Sequence, residues 1–178
     1  MAKQNTVVGL KSGTVRLAPY SRAWVRLFKK EAALLTEALG DCVPVDIQHV
    51  GSTSVPGLEA KPIIDIALTI HDFRRVSTCI RRLATIGYKY MGEYGLPGRH
   101  FFTKGTPTTH HLHVVKDTSE HWRHWLAFRD YLRKHKDTAV AYDKLKRSLA
   151  RKYRKNRDAY TSAKSAFVEK ILSVAESH

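Results

Sequence analysis

Acidic residues are scarce in this 178-residue chain, which has 16 Asp and Glu against 31 Lys and Arg and a formal net charge of +15. Cysteine is scarcer still: Cys42 and Cys79 are the only two, and neither has a spacing typical of a metal or redox motif. The chain also lacks any run approaching the ~20 apolar residues that a membrane-spanning helix needs. We therefore expect buried, reduced thiols, no disulfide or structural zinc, and no membrane association.

Glycine and proline are also modest, at 10 and 6 residues, while 43% of the residues are hydrophobic. This composition excludes disordered and fibrous proteins, and the length predicts a single domain spanning residues 1–178. We expect its core at about 14–118 and C-terminal helices at about 119–178. The first residues include Lys3 but no apolar run behind it, so we expect no signal peptide and a cytoplasmic location.

The positive charge is concentrated towards the end of the chain. The stretch Lys144 to Arg157 contains eight basic residues and no acidic one. Such a segment attracts polyanions through a field that salt screens, so RNA is one candidate partner. The alternative is the solvated face of an amphipathic helix, which is a common arrangement of such charges.

The hydrophobic pattern predicts an α/β arrangement in the first two thirds of the chain and helices in the last third. A helix is expected from Ser21, as N-cap, to Leu39, with Gly40 ending it. Strands, a second helix and three C-terminal helical segments complete the prediction: strands at 45–50, 63–70, 88–90, 100–103 and 110–115, a helix at about 73–87, and helices from 120 onward with breaks near 135–137 and 156–157.

The chemistry is expected where the first strand ends. Gly51 and Ser52 form a turn that lets backbone and hydroxyl groups approach a phosphate closely. Asp65 is the one charged residue in the next, otherwise apolar strand. A carboxylate there can hold a divalent cation, which neutralises phosphate charge during phosphoryl or nucleotidyl transfer. Asp65 could instead form a buried ion pair with Lys61, Arg99 or Lys104.

The stretch from His49 to Ile66, which reads HVGSTSVPGLEAKPIIDI, closely resembles the signature of the GrpB family. Further similarities are Gly98–Phe102, His110–Val114 and Leu126–Leu132, so the resemblance covers roughly residues 14 to 173. It implies a nucleotidyltransferase-like mixed β-sheet flanked by helices, with a C-terminal helical segment.

The resemblance also implies site residues. Gly51 and Ser52, with Thr53 and Ser54, match the phosphate-binding turn, and Asp65 matches the first metal-binding acid. The second acid's position is Ala67, which cannot bind a metal, and the third acid would lie near His111–Val115. One carboxylate is too few for two magnesium ions, which argues against two-metal transfer.

His111 and His113 lie on one side of their strand and can join Asp65. We therefore expect Asp65, His111 and His113 to act in catalysis or bind a metal: Mg²⁺ or Mn²⁺, or Zn²⁺ if the imidazoles are ligands. Either histidine could instead act as a base or bind phosphate. Basic side chains would rim the phosphate site: Lys61, Arg99 and Lys104.

Three hypotheses for function stay open, and whether the protein is an enzyme stays open with them. The first is binding of a nucleotide or another phosphorylated ligand, with metal-dependent nucleotidyl transfer. The second is a non-catalytic binding or folding-assistance module with a protein partner, similar to the related domain fused to dephospho-CoA kinase in some bacteria. The third is RNA binding through the basic C-terminal helices.

Several of these residues have an ordinary structural interpretation. Gly51–Ser54 could be a helix cap after a tight turn, and His49 could point into the core. The aromatic residues that recur along one predicted helix are expected to be a buried stripe: Trp122, Trp125, Phe128 and Tyr131.

Overall fold

The computed structural model describes residues 8–40, 42 and 44–176. A five-stranded mixed sheet has the order β1-β2-β5-β4-β3. The strands are β1 Asp46–Val50, β2 Ile64–Ile70, β3 Tyr88–Tyr90, β4 His100–Lys104 and β5 His110–Lys116. The helices are α1 Arg22–Leu39, α2 Val76–Thr85, α3 Glu120–Lys134, α4 Lys136–Lys152, α5 Arg157–Ser162 and α6 Ser165–Glu176.

The prediction that β2 is a central strand is confirmed. It pairs antiparallel with β1 and parallel with β5. The parallel pairing is possible because α2, β3 and β4 lie between the two strands in the chain and carry it back across the sheet. The expected mixed α/β fold is therefore confirmed.

Alternation along the strands separates two faces of the sheet. The apolar side chains of β2 at 64, 66, 68 and 70 join Leu112 and Val114 of β5 in the main core, which α1 and α2 cover. Cys42 and Cys79 are both buried in this core. The other face carries Asp65, His111 and His113, so the same two strands present their polar residues to one side.

Helix α1 has the predicted ends. The Ser21 hydroxyl oxygen accepts a hydrogen bond from the Ala23 amide, and Gly40 ends the helix with a φ of 51°. The positive φ is a conformation that glycine adopts without the steric penalty of a Cβ.

A buried charged cluster lies between α1 and the sheet, on the face opposite Asp65. Lys104 Nζ is 2.6 Å from Glu31 Oε1, and His110 Nε2 is 3.9 Å from the other carboxylate oxygen. The Lys104 ammonium also lies 5.2 Å from the centre of the Tyr88 ring. We call Glu31, Tyr88, Lys104 and His110 the Glu31 cluster. Its presence means that the expectation of Lys104 beside Asp65 is wrong, because alternation on β4 turns this side chain towards α1.

The C-terminal region has four helices in the described part of the chain, whereas three segments were predicted. The breaks near 135 and 156 occur as expected, and an additional break separates α5 from α6 at 163–164. The helices enclose a second, smaller core whose buried members are Val55, Leu58, Leu132 and Tyr142. Across the described ranges, none of the helices is both long and apolar enough to cross a membrane.

Candidate functional site

The parallel register of β2 and β5 places Asp65 directly beside His111. His111 Nδ1 is 2.9 Å from Asp65 Oδ1, and His113 Nε2 is 3.8 Å from the same oxygen. The predicted grouping of Asp65 with both histidines is therefore present. Asp65 remains reachable, since 29% of its side chain is exposed.

The charge on Asp65 is stabilised by its neighbours. Burial alone would raise the pKa of Asp65, but interactions with His111 and His113 hold the pKa well below its usual value. The carboxylate is therefore ionised at neutral pH, and it accepts the hydrogen bond from His111 Nδ1.

His113 is held on its other side by Arg99, whose Nη1 is 3.2 Å from His113 Nδ1. A guanidinium can only donate, so Nδ1 accepts and Nε2 carries the proton that faces Asp65. Burial lowers the pKa of His113, which favours this neutral form. Arg99 also donates to the backbone carbonyls of Glu93 and Tyr94, and it lies over the Phe101 ring. It therefore ties the 92–98 loop to the sheet.

The backbone at Gly51 passes close to the side chain of Asp65. Its φ is 68°, and a Cβ added there would lie 2.7 Å from Asp65 Oδ2 and 3.1 Å from Asp65 Cβ. Both the positive φ and the close approach require glycine.

We expect Gly51→Ala to destabilise the fold by about 1–3 kcal/mol, because the new methyl group must displace Asp65 and the residue must keep a left-handed backbone. Chemical denaturation of the variant beside wild type measures this change. Gly57→Ala is a useful control, since a Cβ there meets nothing within 4 Å although its φ is 85°. If both substitutions lower the free energy of unfolding equally, the contact with Asp65 contributes nothing and backbone strain alone explains the loss.

The rest of the predicted turn is a short 3₁₀ segment at Ser52–Ser54. The Thr53 hydroxyl lies 3.0 Å from His49 Nε2, and the Ser54 hydroxyl donates to the Gly51 carbonyl. Both hydroxyl groups are used inside the protein, where they stabilise the turn. A role for Thr53 and Ser54 in binding a ligand stays a prediction. His49 is buried and stacked on Phe28, as its structural interpretation expects.

Two lysine ammonium groups share the ring of Tyr160. Lys61 Nζ lies 5.5 Å from the centre of this buried ring and Lys164 Nζ lies 4.5 Å from it. Burial lowers the pKa of both lysines, to about 7 for Lys164, and each is also influenced by the charge of Asp65. Neither ammonium forms an ion pair with a carboxylate of the described residues.

Arg157 completes the positive charge around Asp65. Its guanidinium donates to the Lys11 and Thr14 carbonyls, and burial, its largest influence, lowers its pKa against the opposing effect of Asp65. The charge of Asp65 influences the pKa of Lys61, Arg157 and Lys164, and a fourth cation, Arg99, is connected to Asp65 through His113. We call these four, with Gly51, Ser52, Asp65, His111, His113 and Tyr160, the Asp65 site.

The donor groups of the Asp65 site do not fit a resident divalent cation. Such an ion prefers several anionic or neutral oxygen and nitrogen ligands. Here the single carboxylate is hydrogen-bonded to His111, and its charge already acts on Lys61, Arg157 and Lys164. Ala67, at the position of the second acid, is fully buried. Within residues 8–40, 42 and 44–176, no group of three or more His, Cys, Asp or Glu side chains is arranged to hold a metal. A metal role for Asp65, His111 and His113 is therefore an untested prediction that this donor set does not favour.

The sequence prediction missed several residues of this region. Lys164 and Tyr160 lie about a hundred residues after Asp65 in the chain, and no motif marks them. Trp125 was assigned to a buried stripe, but its ring lies 5.0 Å from that of His113 and so forms a wall beside the site. Phe128 does pack against the second core, as expected.

The basic segment from Lys144 to Arg157 is divided between interior and surface. Lys146 is buried, where it pairs with Asp143, and Arg147 bridges Asp143 and Glu59. The exposed members are Lys144, Arg147, Arg151, Lys152, Arg154 and Lys155. RNA binding by this surface stays a prediction.

Comparison with known proteins agrees with this architecture. A family model described as "GrpB protein" matches residues 14–174. The "Glutamate-rich protein GrpB" of Alkalihalophilus pseudofirmus is 38% identical over 173 residues, which cover 94% of this chain and 99% of that protein. A UPF0157 protein of Pseudomonas aeruginosa is 41% identical over 90% of this chain and 67% of its own length.

The fold is also similar to a solved structure. The crystal structure of the conserved protein GrpB from Enterococcus faecalis superposes with a TM-score of 0.83 and 39% sequence identity, covering 90% of this chain and 96% of that one. Family model, relatives and structure agree over nearly the whole chain, and the chain belongs to the GrpB family.

Proposed function

We propose that the Asp65 site binds a phosphorylated small molecule, a nucleotide in the first instance, and holds its phosphates directly with cationic side chains. The observation that carries this proposal is the pair of ammonium groups on Tyr160, at Lys61 and Lys164. A partly buried ammonium without an ion-pair partner is destabilising. An anionic ligand that forms ion pairs with both ammonium groups would remove this cost, and this best explains two lysines at these positions.

The other cations support the same ligand. Arg99 and Arg157 add two planar guanidinium groups, which suit the geometry of phosphate oxygens. The backbone at Gly51 lies against Asp65, and we expect the amides of the Gly51–Ser52 turn to contact the same ligand. Asp65 would then balance part of the positive charge in the free protein.

An exposed aromatic ring beside this site favours a nucleotide over a simple phosphate. The Tyr94 side chain is 59% exposed, and its ring stacks on Phe101 at a centroid distance of 5.2 Å. Tyr94 also has a φ of 47°, and such backbone strain in a non-glycine residue is frequent at ligand sites. A base can stack on a ring of this kind, which contributes about 1–3 kcal/mol in single-stranded nucleic acid complexes.

Calorimetric titration tests the proposal. Pyrophosphate, tripolyphosphate and ATP are titrated into the protein in the presence of a chelator, and again with Mg²⁺, Mn²⁺ or Zn²⁺. We expect binding without any divalent cation, and tighter binding of ATP than of tripolyphosphate. Asp65→Asn should bind each anion at least as tightly as wild type, because a negative charge leaves the site.

The surface acid Asp117, which contacts His71 outside the site, supplies the matched control. Asp117→Asn changes the net charge equally, so it should leave the affinities unchanged if binding is local. Binding that requires a divalent cation and disappears in Asp65→Asn would instead favour a metal-bridged ligand. If none of the three anions binds, the proposed function is wrong.

A further inference from the structure

The four ring nitrogens of His111 and His113 are not equivalent. In His113, Nδ1 accepts from Arg99 and Nε2 faces Asp65. In His111, Nδ1 donates to Asp65. His113 Nε2 carries its proton 3.8 Å from Asp65 Oδ1. This leaves His111 Nε2 as the ring nitrogen whose lone pair meets no hydrogen-bond donor in the described part of the chain.

The His111 side chain is 13% exposed, so part of the imidazole is accessible to a small molecule from solvent. The proton on Nδ1 places the lone pair on Nε2, where it can react.

We infer that His111 is a phosphoryl acceptor: its Nε2 attacks the phosphorus of a bound donor to form a phosphohistidine, with Asp65 orienting the ring. This inference rests on the proposed function, because the cations of the Asp65 site must first hold the phosphoryl group. In the reaction a P–N bond forms, and the P–O bond to the leaving phosphate breaks with its electron pair. Asp65 stabilises the positive charge that the imidazolium acquires, as carboxylates do for catalytic histidines.

The contacts also select the class of donor. Asp65 is ionised and His113 is neutral, because the pKa of each is lowered, so neither is an acid able to protonate a leaving alcohol. A phosphoanhydride leaves as a phosphate oxyanion and needs no proton, which makes it the matching class. Water then attacks the phosphohistidine, the P–N bond breaks with its pair returning to Nε2, and the net reaction is hydrolysis of the anhydride.

The surface pair of His71 and Asp117 is a control that the chain itself supplies. His71 Nδ1 also contacts a carboxylate, but 75% of the His71 side chain is exposed, and it is not part of the Asp65 site. If orientation by a carboxylate were sufficient for reaction, the two histidines would react alike. If the surrounding cations matter, His111 will react faster.

The probe is phosphoramidate, a small phosphoryl donor whose leaving nitrogen is already protonated. The full chain is incubated with it under chelator, and peptide mapping by mass spectrometry follows phosphorylation at each histidine. We expect His111 to be labelled at least about tenfold faster than His71, with a product that acid removes and alkali does not. Excess pyrophosphate should abolish the difference in labelling rate between His111 and His71. The Asp65→Asn variant should show a smaller difference and should still bind pyrophosphate.

The mapping is done on wild-type protein, so the result does not depend on a variant that must fold. Labelling of His111 no faster than of His71 overturns the inference, and so does rapid labelling of His111 that pyrophosphate leaves unchanged. If calorimetry shows that pyrophosphate binds while His111 is unreactive, the inference that His111 accepts a phosphoryl group is wrong and the proposed function stands. If pyrophosphate does not bind, both fail.

Discussion

Replacing Lys61 and Lys164 together by methionine should reduce the affinity for pyrophosphate by about a thousandfold. A hydrogen bond to a charged group contributes about 1.5–3 kcal/mol, which corresponds to about 10–100-fold for each lysine. Methionine keeps the length and apolar stem of lysine, so it preserves packing on the Tyr160 ring while removing the charge. Calorimetric titration of wild type, the two single variants and the double variant measures the loss.

The same substitutions should stabilise the protein in the absence of ligand. This effect distinguishes lysines that serve to bind a ligand from lysines that stabilise the fold. A partly buried ammonium without an ion-pair partner costs free energy, so Lys164→Met should raise the free energy of unfolding by about 1–2 kcal/mol in the absence of ligand. A lysine needed for folding would have the opposite effect. Lys144→Met and Lys155→Met, at exposed positions of the basic segment, should change neither affinity nor stability. Destabilised lysine variants with unchanged pyrophosphate affinity would contradict the prediction.

The pH dependence of binding follows from the same lysine. Burial, and to a lesser extent Lys61, lowers the pKa of Lys164 to about 7, while Asp65 opposes the shift. The ammonium is present below this pH and is lost as the pH rises through it, so the affinity for phosphate should fall between about pH 6 and 9. The ligand's own ionisation acts in the opposite sense. The Lys164→Met variant has no ammonium at this position, so the pH dependence of its affinity shows the effect of the ligand's ionisation without that of Lys164.

Lys104→Met should destabilise the fold by about 3–5 kcal/mol, because it leaves the Glu31 carboxylate buried without its partner. The two side chains are 21% and 9% exposed and 2.6 Å apart. His110 Nε2, at 3.9 Å, is too distant to replace the lysine with a hydrogen bond. Chemical denaturation of Lys104→Met, Glu31→Gln and the double variant forms a complete cycle.

The double variant should recover most of the lost stability, since a neutral amide and a thioether leave no buried charge. Arg74→Met removes a cation from an exposed pair with Asp72, in which the arginine side chain is 91% exposed, and it should have no measurable effect. Additive losses in the cycle would contradict coupling across the Glu31 cluster. Because this cluster lies on the face opposite the Asp65 site, pyrophosphate binding by the folded double variant should be unchanged.

The elements of the fold could be predicted from the sequence because local patterns determine them. Ser21 and Gly40 mark the ends of α1, and the apolar run of β2 marks a strand covered on both faces. The division of the C-terminal region into four helices was missed, since the break at 163–164 contains neither glycine nor proline. The position of Lys104 was predictable from alternation along β4. Phe101 and Lys104 are three residues apart and so lie on opposite faces of the sheet, which separates this lysine from the Asp65 site.

The centre of the candidate site was predictable for a different reason. Asp65 is a lone charge in an apolar strand, and His111 and His113 alternate on one side of theirs. Their grouping needed only the assumption that these strands are neighbours. Lys164, Tyr160 and Arg157 could not be assigned in this way, because they reach the site from α5 and the break that follows it. The placement of this region depends on packing of the C-terminal helices against distant residues such as Val55 and Leu58.

The three histidines of β5 also bear on how faithfully the sheet assembles. His110 faces the Glu31 cluster, while His111 and His113 face Asp65. A one-residue slip of β5 along β2 would exchange these faces, placing imidazoles in the apolar core and leaving Asp65 without its two histidines. Misregistered pairing is therefore penalised on both sides of the sheet at once, so the polar residues that build the site also act as a check on correct folding.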